Sequence, residues 1–254
     1  MKLAEDKSTV ITGAASGIGR ATAKVFAEHG ANVVVADVDV DGGNETVEAI
    51  EDDGGTATFV ETNVADQDDV QNMIDTAVEE YGGLDVLYNN AGIDGPHTEI
   101  AEYDVDGFDQ VVDVNLKGVF LGMKYGISAM LEDGGGSIVS TSSIGGVNAV
   151  EGYSGYGATK AGVSLMTKTA AVEYADQGIR ANAVAPGLVN TQMVQNIIEE
   201  EPEMEEEFLA YEPMDGFSDP REIANAVLFL TSDLASRVTG VTLPVEGGFL
   251  ASNS

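Results

Sequence analysis

Short β-branched runs alternate with amphipathic stretches along the whole 254-residue chain, and this alternation narrows the fold more than any other feature. A parallel strand covered on both faces reads as a short apolar run, and joining two of them needs a crossover, usually a helix. Runs at 9–11, 32–36, 56–60, 84–88, 137–140, 180–184 and 241–245 have that character. Between them lie helical patterns at 18–29, 41–51, 66–81, 104–131, 156–176 and 219–230. Gly30 is placed to cap the first helix at its C-terminus. Asp66 and Asp219 are natural N-caps, with Pro220 at a first helical position. Seven strands with helical crossovers imply an α/β fold: one doubly wound sheet of seven parallel strands flanked by helices on both faces. No linker, solenoid-period repeat or second domain interrupts the pattern, so 1–254 reads as a single domain. The odd segment is 188–217, which carries the run Glu199-Glu200-Glu201-Pro202-Glu203-Met204-Glu205-Glu206-Glu207. It reads either as an acidic solvated helix pair or as a lid over a site.

Charge sets the next limits. Asp and Glu number 44 against 11 Lys plus Arg, a formal net charge of −33, yet 43% of residues are apolar. Disorder requires low hydrophobicity, so the acids form a solvated skin over an ordinary core. Such a skin repels itself at low salt, and at about 1 M salt the Debye length is roughly 3 Å. With only seven Lys, the composition points to a halophilic protein adapted to a multimolar-salt cytoplasm. Nucleic acid is an unsuitable partner, because phosphate binding needs clustered Lys and Arg. The absence of Cys excludes disulfides, thiolate metal sites and cysteine nucleophiles. No apolar run approaches the ~20 residues of a membrane span, and the opening residues lack the apolar core of a signal peptide. A soluble cytoplasmic protein without a membrane partner is the expectation.

Thr12-Gly13-Ala14-Ala15-Ser16-Gly17-Ile18-Gly19 follows the first strand and opens the first helix. Gly13, Gly17 and Gly19, with Ser16 and Ile18 between them, allow a tight turn that brings a pyrophosphate against a helix N-terminus. That context makes the sheet Rossmann-type, although the spacing is T-G-x-x-x-G-x-G rather than G-x-G-x-x-G. The second strand ends in Asp37-Val38, 18 residues past Gly19. An acid there can accept the hydroxyl hydrogens of an adenosine ribose and repels a 2′-phosphate. The closest preceding base is Arg20, so the expected cofactor is NAD rather than NADP.

Tyr156 and Lys160 lie four apart at the start of a long helical pattern, hence on one face. An ammonium beside a phenol favours the phenolate and lowers its pKa, and such a Tyr can exchange a proton with a substrate oxygen.

Together these stretches resemble the classical short-chain dehydrogenase/reductases over essentially the whole chain. The matching residues are Thr12-Gly13-x-x-x-Gly17-x-Gly19, Asn89-Asn90-Ala91-Gly92, Asn115, Ser142-Ser143, Tyr156-x-x-x-Lys160 and Pro186-Gly187. The resemblance implies catalytic roles for Asn115, Ser143, Tyr156 and Lys160. Tyr156 is then the acid/base, Lys160 lowers its pKa and holds the nicotinamide ribose, and Ser143 bonds the substrate oxygen. Asn115 would hold a water that links Lys160 to solvent. Asn90, Ala91 and Gly92 would line the adenosine ribose side, while Val189 and Thr191, following Pro186 and Gly187, would orient the carboxamide. The stretch 188–217 would be the substrate-binding lid. Two departures from the family pattern are Asn63, in Thr62-Asn63-Val64 against the adenine, where Asp is common, and Glu246, where Asp is usual.

The implied activity is an NAD(H)-dependent interconversion of a secondary alcohol and its ketone. The stretches 89–98 and 153–162 look most like relatives acting on cyclic alcohols and ketones. A sugar dehydrogenase or oxoacyl-thioester reductase of the same family stays open, as does an epimerase or dehydratase sharing the Tyr–Lys pair. The non-enzymatic rival is an NAD-sensing regulator, which has no use for Ser143, Tyr156 and Lys160 together. His29 and His97 each lack a neighbouring His or Cys and read as structural, so no metal is expected. The resemblance also implies a homotetramer built on the helices at 104–131 and 156–176.

Overall fold

The computed structural model describes residues 2–200, 213–214 and 216–252. Seven strands form one sheet: β1 (Ser8–Thr12), β2 (Asn32–Asp37), β3 (Thr56–Glu61), β4 (Val86–Asn89), β5 (Gly136–Thr141), β6 (Ile179–Pro186) and β7 (Thr242–Val245). Their order is β3-β2-β1-β4-β5-β6-β7, and every pairing is parallel. All seven expected strands are present in one α/β domain. The order reverses between β1 and β4, which opens a crevice at their C-terminal ends, where ligands of such sheets bind.

Helices α1 (Gly17–Glu28), α2 (Val40–Asp52), α3 (Gln67–Tyr81), α4 (Val105–Val112), α5 (Gly118–Glu132), α6 (Ser154–Tyr174), α7 (Gln192–Glu200), α8 (Pro220–Thr231) and α9 (Phe249–Ser252) complete the described elements. Strand alternation divides the core into two layers. Val10 and Val34 pack with Met73, Ile127 and Val163 of α3, α5 and α6. Ile11, Val33 and Val35 face the other way, toward Phe26 of α1 and Ile223 and Val227 of α8. A period of two along buried strands requires this split.

The caps follow their side chains. Asp66 accepts from the N–H groups of Asp68 and Asp69. Asp219 and Glu222 form a reciprocal capping box with Pro220 in the first turn. Gly30 follows α1 with φ of 92°, a left-handed conformation suited to glycine. One expected element is corrected. The pattern at 104–131 is not a single regular helix, because a π turn at Asp113–Lys117 separates α4 from α5. The extra residue in that turn leaves the apolar period almost undisturbed, and such turns recur at functional sites. Of the expected lid, residues 201–212 and 215 lie outside the described residues, and so does most of its acidic run.

Arg180 ties β6 to the far end of α8. Its guanidinium donates to the carbonyls of Leu230, Thr231, Ser232 and Val238. Arg180→Met keeps the length and removes every donor, so it should cost about 2–3 kcal/mol. A fall in the urea midpoint with an unchanged m-value checks this, and an unaltered midpoint refutes it.

Candidate active site

The crevice is built around a turn only glycine can make. Gly13 and Gly17 have φ of 65° and 51°. A Cβ on Gly19 would lie 2.0 Å from the Gly13 carbonyl oxygen, and one on Gly13 would lie 2.8 Å from Ala91 Cα. The turn therefore closes on itself and on the exit of β4. Thr12 Oγ1 accepts from the N–H groups of Asn90 and Ala91 at 2.9 and 3.0 Å. Asn90 Nδ2 returns bonds to the Thr12 and Gly13 carbonyls. Ser16 caps α1 without a side-chain bond to it, so the first N–H groups of the helix face the crevice with no side-chain acceptor from their own cap.

Asp37 ends β2 beside this turn. Its Oδ2 accepts from Ala15 N–H at 2.9 Å and its Oδ1 from Asp39 N–H at 3.0 Å, which fixes the carboxylate. Arg20 is held elsewhere, donating to Thr46 Oγ1, the Gly42 carbonyl and the Glu45 carboxylate on α2. Asn63 is exposed, with its N–H on the Asp69 carboxylate and its Oδ1 accepting from Ala65.

The chemical end is assembled from β5, the π turn and α6. Ser143 follows β5; its Oγ accepts from Gly145 N–H at 3.1 Å and lies on the Tyr156 side of the cavity, where it acts on the phenol. Its neighbour Ser142 is turned into the core, bonded to the Lys160 carbonyl and Ser164, which separates the two serines by role. Lys160 Nζ donates to the Thr141 carbonyl at 3.0 Å and lies 5.5 Å from the centroid of the Tyr156 ring. Asn115 is buried in the π turn. Its Oδ1 and Nδ2 engage the N–H and carbonyl of Ile93, both at 2.8 Å. A Cβ on Gly92 would sit 3.2 Å from both Asn115 Oδ1 and Lys160 Nζ, so glycine allows this approach.

The electrostatics correct one expectation. Burial pushes the Tyr156 phenol up to about 12; the Ser143 hydrogen bond opposes this and the Asp94 charge adds to it. Burial also brings the Lys160 ammonium down to about 8, against the pull of Asp94. The phenol is thus neutral at neutral pH rather than already acidic. The physical reason is desolvation, with Lys160 bonded to a carbonyl instead of to the phenol.

A cavity of about 1230 Å³ runs from Asp37 to Phe249. Every candidate cofactor and catalytic residue lines it except Gly19 and Asn115, which sit behind Gly13 and Ile93. Its volume exceeds the roughly 300–1,000 Å³ of an ordinary ligand pocket and suits a dinucleotide plus a substrate. The glycine cradle, the free helix N-terminus and the fixed Asp37 carboxylate fit such a cofactor.

The sequence pattern includes Thr12 but gives no hint of its role as acceptor for the Asn90 and Ala91 N–H groups, nor of the Thr141 carbonyl or a group at the substrate end. His97 was expected to be a lone structural residue, but its Nε2 lies 2.7 Å from Asp94 Oδ2. Its ring stacks on Tyr153 with centroids 4.2 Å apart. The spacing of Asp94 and His97 was the available signal, obscured by the 44 acids of the chain. Among the described residues no group of three or more His, Asp or Glu is placed to hold a metal ion.

A dinucleotide-sized crevice with Ser, Tyr and Lys at one end defines a nicotinamide-type oxidoreductase site. A family model described as enoyl-(acyl carrier protein) reductase matches residues 13–250. Cis-4-hydroxycyclohexanecarboxylate dehydrogenase of Sinomonas cyclohexanicum is 43% identical over 246 residues, 97% of each chain. Cyclohexanol dehydrogenase of Acinetobacter sp. (strain SE19) is 41% identical over 244 residues, 96% of this chain and 95% of the relative. The crystal structure of levodione reductase superposes with a TM-score of 0.95 at 37% identity, covering 98% of this chain and 99% of that one. A 7α-hydroxysteroid dehydrogenase complexed with NADH and 7-oxo glycochenodeoxycholic acid gives 0.92 at 33%, covering 96% and 94%. The chain belongs to the short-chain dehydrogenase/reductase family and is an oxidoreductase.

The Lys160 shift fixes the sign of a stability test. Between about pH 8 and 10.5 the unfolded chain holds the Lys160 proton that the folded chain has lost, so stability rises with pH across this window. Lys160→Met removes the buried charge and should raise the melting temperature at pH 7. Its advantage should vanish by the ordinary lysine pKa of 10.5. A variant less stable than wild type at pH 7 overturns the assignment.

Proposed function

We propose that the protein is an NAD(H)-dependent oxidoreductase interconverting a secondary, cyclic alcohol and its ketone. The observation that carries this reading is the pairing of Ser143 with Tyr156 at one end of a cavity whose other end is Asp37. When bound, the nicotinamide supplies hydride donation and acceptance. Ser143 and Tyr156 donate hydrogen bonds to the substrate oxygen and stabilise its negative charge during ketone reduction. Tyr156 passes its proton to that oxygen and takes it back in the oxidation direction. Lys160 holds the ribose near Tyr156, and Asn115, fixed on the Ile93 backbone, positions the water that connects Lys160 to solvent.

NAD is favoured over NADP because Asp37 is held at the ribose end while Arg20 is engaged on α2. Cyclic substrates are favoured by the relatives named for cyclohexanol and hydroxycyclohexanecarboxylate and by apolar lining from Ile93, Val114, Val150 and Val194. Among the described residues of the expected lid, Leu188 and Val194 line the cavity and Val189 is bridged to Ser218, which supports a substrate-covering role for this part of the segment. Assembly is a homotetramer, a reading supported by the exposed apolar residues Leu165 and Val172 of α6, at 67% and 84%, and Phe120 of α5. The acidic skin is a halophilic adaptation that needs molar salt to screen it.

A screen of cyclic ketones in molar KCl, with NADH and NADPH side by side, tests the whole reading. Turnover should appear with NADH and be at least ~100-fold weaker in Tyr156→Phe, with dinucleotide affinity little changed. Turnover that survives in Tyr156→Phe, or a preference for NADPH, overturns it.

A further inference from the structure

Beyond Ser143, Tyr156 and Lys160, the substrate end of the cavity holds a half-buried carboxylate to which the reaction assigns no role. Asp94 lies two residues past Gly92, lines the substrate end and keeps 20% of its side chain exposed. His97 holds its Oδ2, and among the described residues its Oδ1 accepts no hydrogen bond. His97 in turn rests on Tyr153, whose ring lies 6.3 Å from that of Tyr156 in an edge-on arrangement. The chain Asp94–His97–Tyr153–Tyr156 therefore sets a fixed carboxylate at one remove from the reacting position. Holding it takes an imidazole and an aromatic stack, more than a solvated surface acid requires.

The charges around it restrict what it can meet. Lys160 is the one basic side chain among the described residues lining the cavity, whereas Asp37, Asp94 and Glu151 are acidic. A substrate carboxylate at this end would face Asp94 and Glu151 without a free cation to pair with. An ammonium would compete with His97 and sit in the field of Lys160. A neutral hydroxyl can donate to Oδ1 at no such cost, and a hydrogen bond to a charged acceptor is among the stronger kinds.

Resting on the proposed alcohol–ketone chemistry, we infer that Asp94, oriented by His97, is a specificity-determining residue that accepts a hydrogen bond from a second hydroxyl of the substrate. The preferred substrate class is then a cyclic diol or hydroxyketone. A monohydric cyclic alcohol ranks below it, and a hydroxycycloalkane carboxylate ranks last.

The test compares kcat/KM for a cyclohexanediol, cyclohexanol and 4-hydroxycyclohexanecarboxylate, the last being the substrate in a relative's name, in molar KCl with NAD. Wild type should rank them in that order. Asp94→Ala should lower the diol-to-cyclohexanol ratio about tenfold, chiefly through KM. Asp94→Asn keeps the size and removes the charge, and should raise the relative rate on the carboxylate. A merely structural role would lower all three rates together and leave their ratios unmoved. Unchanged ratios in both variants, with all substrates turned over, overturn this inference alone. No turnover of any cyclic alcohol by wild type overturns the proposed function and this inference with it.

Discussion

Thr12 Oγ1 accepts two backbone N–H groups from the far side of the sheet reversal, and the crevice depends on that contact. In a doubly wound sheet the exits of β1 and β4 diverge, leaving polar backbone at the switch point without ladder partners. Here one hydroxyl and the Asn90 amide satisfy it while drawing the glycine turn against Ala91. The same contact fixes both ends of the cavity. On one side it aims the N-terminus of α1, and on the other it sets the path through Gly92 to Ile93, on which Asn115 is anchored. A side chain larger than hydrogen at Gly13 would push these apart, so the glycine is required by approach as much as by φ.

The chemical end is held at an electrostatic cost. Tyr156 and Lys160 are both displaced from their ordinary values by desolvation, in directions that disfavour the charged form of each. Part of this cost is offset by partners: the Thr141 carbonyl accepts from the ammonium, and the Ile93 backbone holds the neighbouring Asn115 amide. Functional sites commonly trade stability for such preorganisation. Burial thus raises one group and lowers the other, so that in each case the neutral form is favoured.

Much of this was legible in the sequence for a simple reason. Strands buried on both faces announce themselves as β-branched runs, and caps such as Asp66 and Asp219 are local chemistry. The glycine turn, Asp37 and the Tyr156–Lys160 pair were readable because their spacing carries the geometry, whereas Ser143 was reached only through the family resemblance. What escaped notice was non-local or masked by composition. The π turn at Asp113–Lys117 adds a residue without disturbing the apolar stripe. Desolvation of Tyr156 depends on what closes over it, which no four-residue spacing encodes. Asp94 is one acid among many until His97 and Tyr153 are seen to hold it.

Four of the 11 cations bridge separate elements of the fold. Lys7 meets Asp85 at the foot of β1 and β4, Arg20 joins α1 to α2, Arg221 pairs with Glu28 across α8 and α1, and Arg180 closes α8 onto β6. Each links elements distant in sequence, where a surface pair alone would be worth little. With 11 cations against 44 acids, pairing cannot neutralise the surface; these four join separate elements, while Lys2 and Lys117 pair locally with Glu5 and Asp113. Lys160 differs from all of these in being buried, with its ammonium on the Thr141 carbonyl. Many of the remaining acids cap helices or loops, as Asp39, Asp66, Asp104 and Asp219 do, and the repulsion among the others is of the kind that dissolved salt screens.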